Sequence, residues 1–213
     1  MVFSTFLESL VKLKNKDLLG EFAHAKMSPP YRLKLAEQMA QKRKTAKHAA
    51  VMALFYPDQH QKTYLVLILR KTYKGVHSAQ VGFPGGKVEN GDIDLKHTAL
   101  RETEEEINVD INAVTVVKEM SPLYIPPSNF IVHPFIGYVG SRPNFIKEEA
   151  EVEAIIEVAL DDFLDESNVK QTKVATSYKV DIEVPAFYLN GYIVWGATAM
   201  MLSELKLLLN EVR

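Results

Sequence analysis

The sequence predicts an α/β sandwich in which a mixed central sheet lies between helices, with an N-terminal helical extension. Three observations carry that expectation. Two apolar, β-rich runs, "HAAVMALFYP" and "KTYLVLILRK", flank the polar stretch "DQHQ", as expected of a hairpin inside a buried sheet. A glycine-rich loop leads directly into a helix-like segment dense in glutamate. Helical apolar spacing recurs at both ends of the chain, and helices before, between and after strands indicate layered α/β packing.

Taken in order, Phe3, Phe6, Leu7, Leu10, Val11 and Leu13 recur at helical spacing, which predicts a helix over residues 3–15. The segment "SPPYRLKLAEQMAQKRK" predicts a second, with prolines in the first turn, where a missing N–H does no harm. The hairpin follows, then the glycine loop. After the loop comes a helix of about 14 residues, with Asp94 as its N-cap. Further strands are expected at 113–120, 130–139, 151–158 and 178–189, with "PPSN" and "GSRPN" as intervening loops. Met200, Leu202, Leu205, Leu208 and Leu209 mark a last helix from Gly196 to Val212. Residues 1–45 are therefore read as the helical extension and 46–213 as the domain on which it packs.

Composition bounds the function. The chain of 213 residues is 47% hydrophobic and 24% charged, enough for one globular domain with a large core. A formal net charge of -2 offers no broad basic surface, which argues against a nucleic-acid partner. Zero cysteines exclude disulfides and thiolate metal sites and fit a reducing compartment. The longest apolar runs, "AAVMALFY" and "YLVLIL", fall far short of the roughly 18 residues a membrane span needs. The start, "MVFSTFLESLVKLKNK", lacks a basic opening, a continuous apolar stretch and a small-residue cleavage site. No membrane association and a cytoplasmic location are expected. The oligomeric state stays open, a homodimer included.

The chemistry concentrates in "ETEEE", which places Glu102, Glu104, Glu105 and Glu106 together. Like charges three and four residues apart on a helix repel by a few tenths of a kcal/mol per pair. On a helix begun at Asp94, residues 102, 105 and 106 share one face, while Leu95, Ala99, Thr103 and Ile107 form an adjacent strip able to dock on the sheet. Three converging carboxylates make a hard-oxygen site suited to Mg²⁺ or Mn²⁺ rather than zinc, and a divalent ion would relieve the repulsion. Arg101 is placed to orient a carboxylate. The bland alternative is a solvated acidic face. The preceding "GFPGGKVENGD" weighs against it, because its glycines let backbone approach a metal or phosphate closely.

Loop and helix together resemble the Nudix hydrolase signature, G-x5-E-x7-R-E-U-x-E-E-x-G-U, where U is a bulky apolar residue. Gly86 matches its opening glycine, Arg101-Glu102 and Glu105-Glu106 its central acidic core, and Val109 its last apolar position. Asp92 stands at the first acidic position with one extra residue before Arg101, Thr103 replaces an apolar residue, and Asn108 replaces a glycine. Asparagine tolerates the left-handed conformation that ends a helix. The aspartate and the extra residue resemble the coenzyme A pyrophosphatase branch. "HSAQVGFPGG", "SNFIVHPFIGYV" and the C-terminal "VWGATAMMLSELKLLL" are similar to segments of that branch. Leu67 and Arg70 match its upstream pattern, whereas Ile68, Lys71, Gly75 and Ala79 depart from it.

The resemblance implies a Nudix-type α/β/α sandwich and attack by water on a phosphorus of a nucleoside diphosphate derivative. It implies Glu102, Glu105 and Glu106 as ligands of Mg²⁺ or Mn²⁺, with the Gly85 carbonyl as a further one. Arg101 would orient the carboxylates. Glu149, Glu151 and Glu153 alternate along a loop-to-strand stretch, and Glu151 is the candidate to join Glu105 and Arg101 in catalysis as general base. Arg70, His77 and Gly86 are candidate substrate contacts. Arg70 suits bidentate pairing with phosphate, with a surface ion pair as the alternative. Lys71 and Lys74 read as solvated charges. The other histidines (24, 48, 60, 97 and 133) lack metal-ligand spacing, and Tyr124, Phe130 and Trp195 read as packing residues. The branch implies coenzyme A or an acyl-CoA as substrate. ADP-ribose, a dinucleotide or a nucleoside triphosphate is the alternative. A non-catalytic nucleotide-sensing module is a third reading, against which the full set of glutamates argues.

Overall fold

The structure, a computed structural model, describes residues 1–71, 80–174 and 182–213. The chain begins with α1 (Phe3–Leu13), α2 (Gly20–Ala25), α3 (Arg32–Gln38) and α4 (Ala40–Arg43). The apolar face of α1 is buried as its spacing implies, with Phe3, Phe6, Leu10 and Leu13 inward. The single helix expected over 28–44 is instead two short ones meeting at Met39, whose φ of -97° and ψ of 9° leave helical geometry. Neither has a buried residue. Short helices without a packed face are marginal in water, so nothing enforces one continuous rod.

The expected hairpin forms. β1 (Lys47–Pro57) and β2 (Thr63–Arg70) pair antiparallel, with Tyr56 opposite Tyr64. Asp58 closes the turn, its Oδ1 accepting the N–H groups of His60 and Lys62 at 2.8 Å. Then come β3 (Val81–Gly82), β4 (Gly85–Lys87), α5 (Leu95–Ile107), β5 (Thr115–Glu119), β6 (Leu123–Ile125), β7 (Phe130–Tyr138) and β8 (Val152–Ala159). α6 (Leu160–Leu164), β9 (Val169–Val174), β10 (Ile182–Leu189), β11 (Tyr192–Trp195) and α7 (Gly196–Asn210) complete the described chain. β10 covers the later part of the strand expected over 178–189; residues 178–181 lie outside the described residues.

The pairing registers fix how the sheet is laid out. β7 runs parallel to β1 from Lys47 to Phe55, and the other pairings are antiparallel, so the sheet is mixed. β8 occupies one edge of β2 over Tyr64–Arg70. On the opposite edge β2 meets β1 at residues 63–65 and β3 at residues 68 and 69. β1 in turn meets β2 at residues 55–57 and β4 at residues 49–51. β1 and β2 therefore diverge, and the segment 81–87 is wedged between them. Phe83, buried in the core, anchors the wedge, and Met52 donates its N–H to the Pro84 carbonyl at 2.9 Å.

Both faces of the sheet are covered, which is why β1 is almost uniformly apolar. Ala49, Val51, Ala53 and Phe55 face a core shared with α1 and α7, while Ala50, Met52, Leu54 and Tyr56 face α5. The α1 residue Phe6 packs on Phe55 with ring centroids 4.6 Å apart. β9, β10 and β11 form a separate three-stranded antiparallel sheet. Among the described residues no helix is long and apolar enough to cross a membrane.

Candidate active site

α5 starts and ends where its local sequence dictates. The Asp94 side chain accepts the His97 N–H at 2.7 Å, satisfying a donor that the first turn leaves unpaired. Asn108 ends the helix in the left-handed region, at φ 58° and ψ 47°. Ala99, Thr103 and Ile107 are buried against the sheet. Thr103 is tolerated there because its hydroxyl donates to the Ala99 carbonyl at 2.6 Å.

The docked helix presses Glu102 and Glu106 onto the wedge. Gly85 has φ +145°, and a Cβ there would overlap the Ala50 carbonyl and the Val51 backbone of β1. At Gly86 a Cβ would overlap the Glu102 carboxylate. Two adjacent glycines thus let the loop lie flat between β1 and α5. Glu106, with a side chain only 2% exposed, accepts the Gly85 N–H at 2.8 Å through Oε2. Its Oε1 lies 3.0 Å from Arg70 Nη1 but off hydrogen-bonding alignment, leaving a buried carboxylate oxygen without a hydrogen bond. Arg70 Nη2 also donates a short hydrogen bond to the Gly85 carbonyl. Burial pushes the Glu106 carboxyl up to about 7; Arg70 and the Gly85 N–H oppose that rise, while Glu102 and Glu151 add to it. Burial also raises Glu102, against the pull of Arg101.

Arg101 settles how the glutamates coexist. Its Nη1 lies 3.1 Å from Glu102 Oε1 and 3.0 Å from Glu105 Oε2. Its far side is pinned by Asp92, with Nε–Oδ1 at 2.9 Å and Nη2–Oδ2 at 3.0 Å, and by the Lys87 carbonyl at 3.0 Å. Asp92, its side chain only 1% exposed, also accepts from Thr98 Oγ1 at 2.8 Å and from the Glu89 N–H at 2.9 Å. The Arg101 hydrogen bond holds Asp92 well below the usual carboxylate range. The repulsion that a divalent ion would relieve is also offset by Arg101 at Glu102 and Glu105 and by Arg70 at Glu106. Glu104 is exposed.

A search against protein-family models matches the NUDIX domain over residues 46–178. The chain belongs to the Nudix family. Among curated relatives, it is 32% identical over 171 residues to Nudix hydrolase 22, chloroplastic, of Arabidopsis thaliana, covering 78% of this chain and 56% of that one. It is 34% identical over 148 residues to an uncharacterized Nudix hydrolase NudL of Yersinia enterocolitica, covering 66% of this chain and 71% of that one. The chain thus spans little more than half the length of the Arabidopsis relative. A MutT/nudix family protein from Enterococcus faecalis shares the fold, with a TM-score of 0.52 at 14% identity over 83% of this chain and 70% of that one.

Nudix hydrolases generally need a divalent metal ion. Among the described residues no group of three acidic or imidazole side chains is already gathered as a metal cage. The donor chemistry fits nonetheless. Glu102, Glu105, Glu106 and the Gly85 carbonyl offer only hard oxygens, and the Glu106 Oε1 is a buried acceptor lacking a hydrogen bond. At 57% side-chain exposure, Glu105 sits further out than the shared helical face implied, whereas Glu102 is 12% exposed.

The remaining candidates separate clearly. Arg70 lies against Gly85 and Glu106, and Gly86 against Glu102. Glu151 is exposed just before β8 and reaches Glu102 and Glu106 through its charge. Glu149 pairs with Lys147 at 3.2 Å on the surface. His77 and Lys74 lie outside the described residues. Tyr124 is buried. Sequence reasoning treated Asp92 only as a departure from the signature and missed it as the anchor of Arg101. The signal was available: an arginine amid glutamates needs a fixed partner, and Asp92 lies on the loop leading into the same helix.

Proposed function

We propose that this Nudix chain hydrolyses the pyrophosphate bond of coenzyme A or an acyl-CoA, with Mg²⁺ or Mn²⁺ as cofactor. Water adds to one phosphorus and the bridging oxygen leaves with the other, giving 4′-phosphopantetheine, or its acyl form, and adenosine 3′,5′-bisphosphate. The observation that carries the hydrolytic reading is the packing of Glu102 and Glu106 onto Gly85 and Gly86, with a carboxylate oxygen buried and lacking a hydrogen bond. The substrate rests on "HSAQVGFPGG" and "VWGATA". In support, Thr198 of the second segment donates to the Val81 carbonyl of the first at 2.9 Å.

Glu102, Glu105 and Glu106, with the Gly85 carbonyl, would hold the ion. When bound, the ion supplies Lewis acidity and screens the charge of the diphosphate. Arg101, pinned on Asp92, orients Glu102 and Glu105. Glu151, exposed to solvent and close enough to perturb Glu102 and Glu106, accepts the proton of the attacking water. Arg70 and His77 contact the diphosphate, and Gly86 keeps the backbone low beneath it. The absence of cysteine fits action in a reducing compartment such as the cytoplasm.

The test compares kcat/KM for coenzyme A, dephospho-coenzyme A and ADP-ribose with Mg²⁺ or Mn²⁺. Coenzyme A should lead. Glu102→Gln and Glu106→Gln should each lower turnover by orders of magnitude, whereas Glu104→Gln should stay near wild type. Preference for ADP-ribose overturns the substrate and keeps the hydrolase. Nucleotide binding in EDTA, with no turnover of any diphosphate, leaves a sensing module.

A further inference from the structure

Arg70 and Arg101 both neutralise glutamates of the site, but they are held differently. Arg101 is tied to Asp92 and Lys87 on the side away from Glu102 and Glu105, so its position does not depend on those two. The described partners of the Arg70 guanidinium are the Gly85 carbonyl and Glu106 Oε1. Both are oxygens assigned above to the divalent ion. Glu106 Oε1 has no hydrogen bond, so the guanidinium meets it as a charge rather than as an aligned donor. Arg70 also stands where the β2–β8 register slips between Leu69 and Arg70. Such irregularities re-aim side chains beside active sites.

We propose that Arg70 is a resident cation of the metal-free site, occupying the Gly85 carbonyl and Glu106, and that a divalent ion displaces it so that its guanidinium turns to the diphosphate. The inference rests on the metal-site assignment above and extends it to an order of events. A buried carboxylate stripped of its described counter-charge is costly. One cation therefore replaces another, and the arginine is freed for bidentate phosphate binding when the ion arrives. Metal and diphosphate binding are then coupled through one side chain. By linkage, each tightens the other.

Two measurements on the full chain test this, and neither uses turnover. In the first, arginine is labelled with ¹⁵N, and the Nε–Hε signals of Arg70 and Arg101 are assigned from Arg70→Lys and Arg101→Lys. Titration with diamagnetic Mg²⁺ should shift the Arg70 signal strongly and the Arg101 signal little. In the second, Mn²⁺ affinity is measured by calorimetry in wild type and Arg70→Lys. A single ammonium keeps the charge but cannot bridge both oxygens, so the variant should bind Mn²⁺ about two- to fivefold tighter, as for loosening of one ion pair whose arginine is partly exposed. An unmoved Arg70 signal in a wild type that binds metal overturns the proposal, and so does equal or weaker Mn²⁺ binding by the variant. Failure of wild type and variant alike to bind either ion removes the metal site itself, and the proposal with it.

Discussion

Replacing Glu106 by glutamine tests the electrostatics of the site without substrate or metal. In the unfolded chain this carboxyl ionises near 4.5, whereas in the folded site burial pushes it up to about 7. Between those values the folded state holds more protons than the unfolded one, so stability falls as pH rises and levels off above about 7. The contribution is complete below 4.5 and lost through 7. From the two ionisation constants, the loss between pH 5 and pH 8 is about 2–3 kcal/mol. Glutamine keeps a carbonyl acceptor for the Gly85 N–H and never ionises. The difference in unfolding free energy, Glu106→Gln minus wild type, should therefore rise by that amount from pH 5 to pH 8. Urea unfolding in EDTA at pH 5, 6, 7 and 8 measures it, and other titrating groups largely cancel in the difference. A difference that stays flat with pH would refute the claim that Glu106 is buried with an incompletely satisfied charge.

Two further substitutions probe the frame around the site. Gly86→Ala meets only the tip of the Glu102 side chain, so stability should change within about 1 kcal/mol while hydrolysis collapses; Gly85→Ala meets β1 backbone at a positive φ and should unfold the chain or cost several kcal/mol. Calorimetric melting beside a turnover assay separates the two. Glu204, fully buried on α7, accepts the N–H groups of Leu19, Gly20 and Ser121 at 3.1, 2.8 and 3.1 Å and the Ser121 hydroxyl at 2.6 Å, with His24 Nε2 3.4 Å away. Burial alone would raise its carboxyl, yet His24, Ser121 and the Gly20 N–H bring it down to about 2. Glu204→Ala should cost about 3–5 kcal/mol above pH 5, shrinking as pH falls toward 2, and should expose residues 14–30 to protease.

The parts of the fold that were legible are those written in short-range periodicity. α1, α5, α7 and the β1–β2 hairpin follow from apolar spacing, an Asp94 cap and polar turn residues within a few positions of one another. β3 and β4 were not legible, being only two and three residues long. They exist because β1 and β2 part and leave backbone donors and acceptors to be paired, a condition set by strands distant in sequence. β9 was hidden for a related reason: Lys170, Gln171 and Lys173 lie exposed along it, and its pairing to β10 holds it as a strand rather than an apolar pattern.

The same division runs through the site. That Glu102, Glu105 and Glu106 share a helical neighbourhood follows from 3.6 residues per turn, and that Gly85 and Gly86 permit close backbone approach follows from their missing Cβ. These are properties of the covalent chain, and the sequence alone determined them. Which carboxylate is buried, which remains in water and which arginine balances each was decided by tertiary structure. Glu106 is buried because α5 docks over a wedge whose Gly85 N–H points at it, and Glu105 stays out because the same docking turns it away from β1. Arg70 reaches Glu106 across 36 positions of sequence. Charge pairing over such distances depends on burial and direction, which exist only once the sheet and its helices have packed.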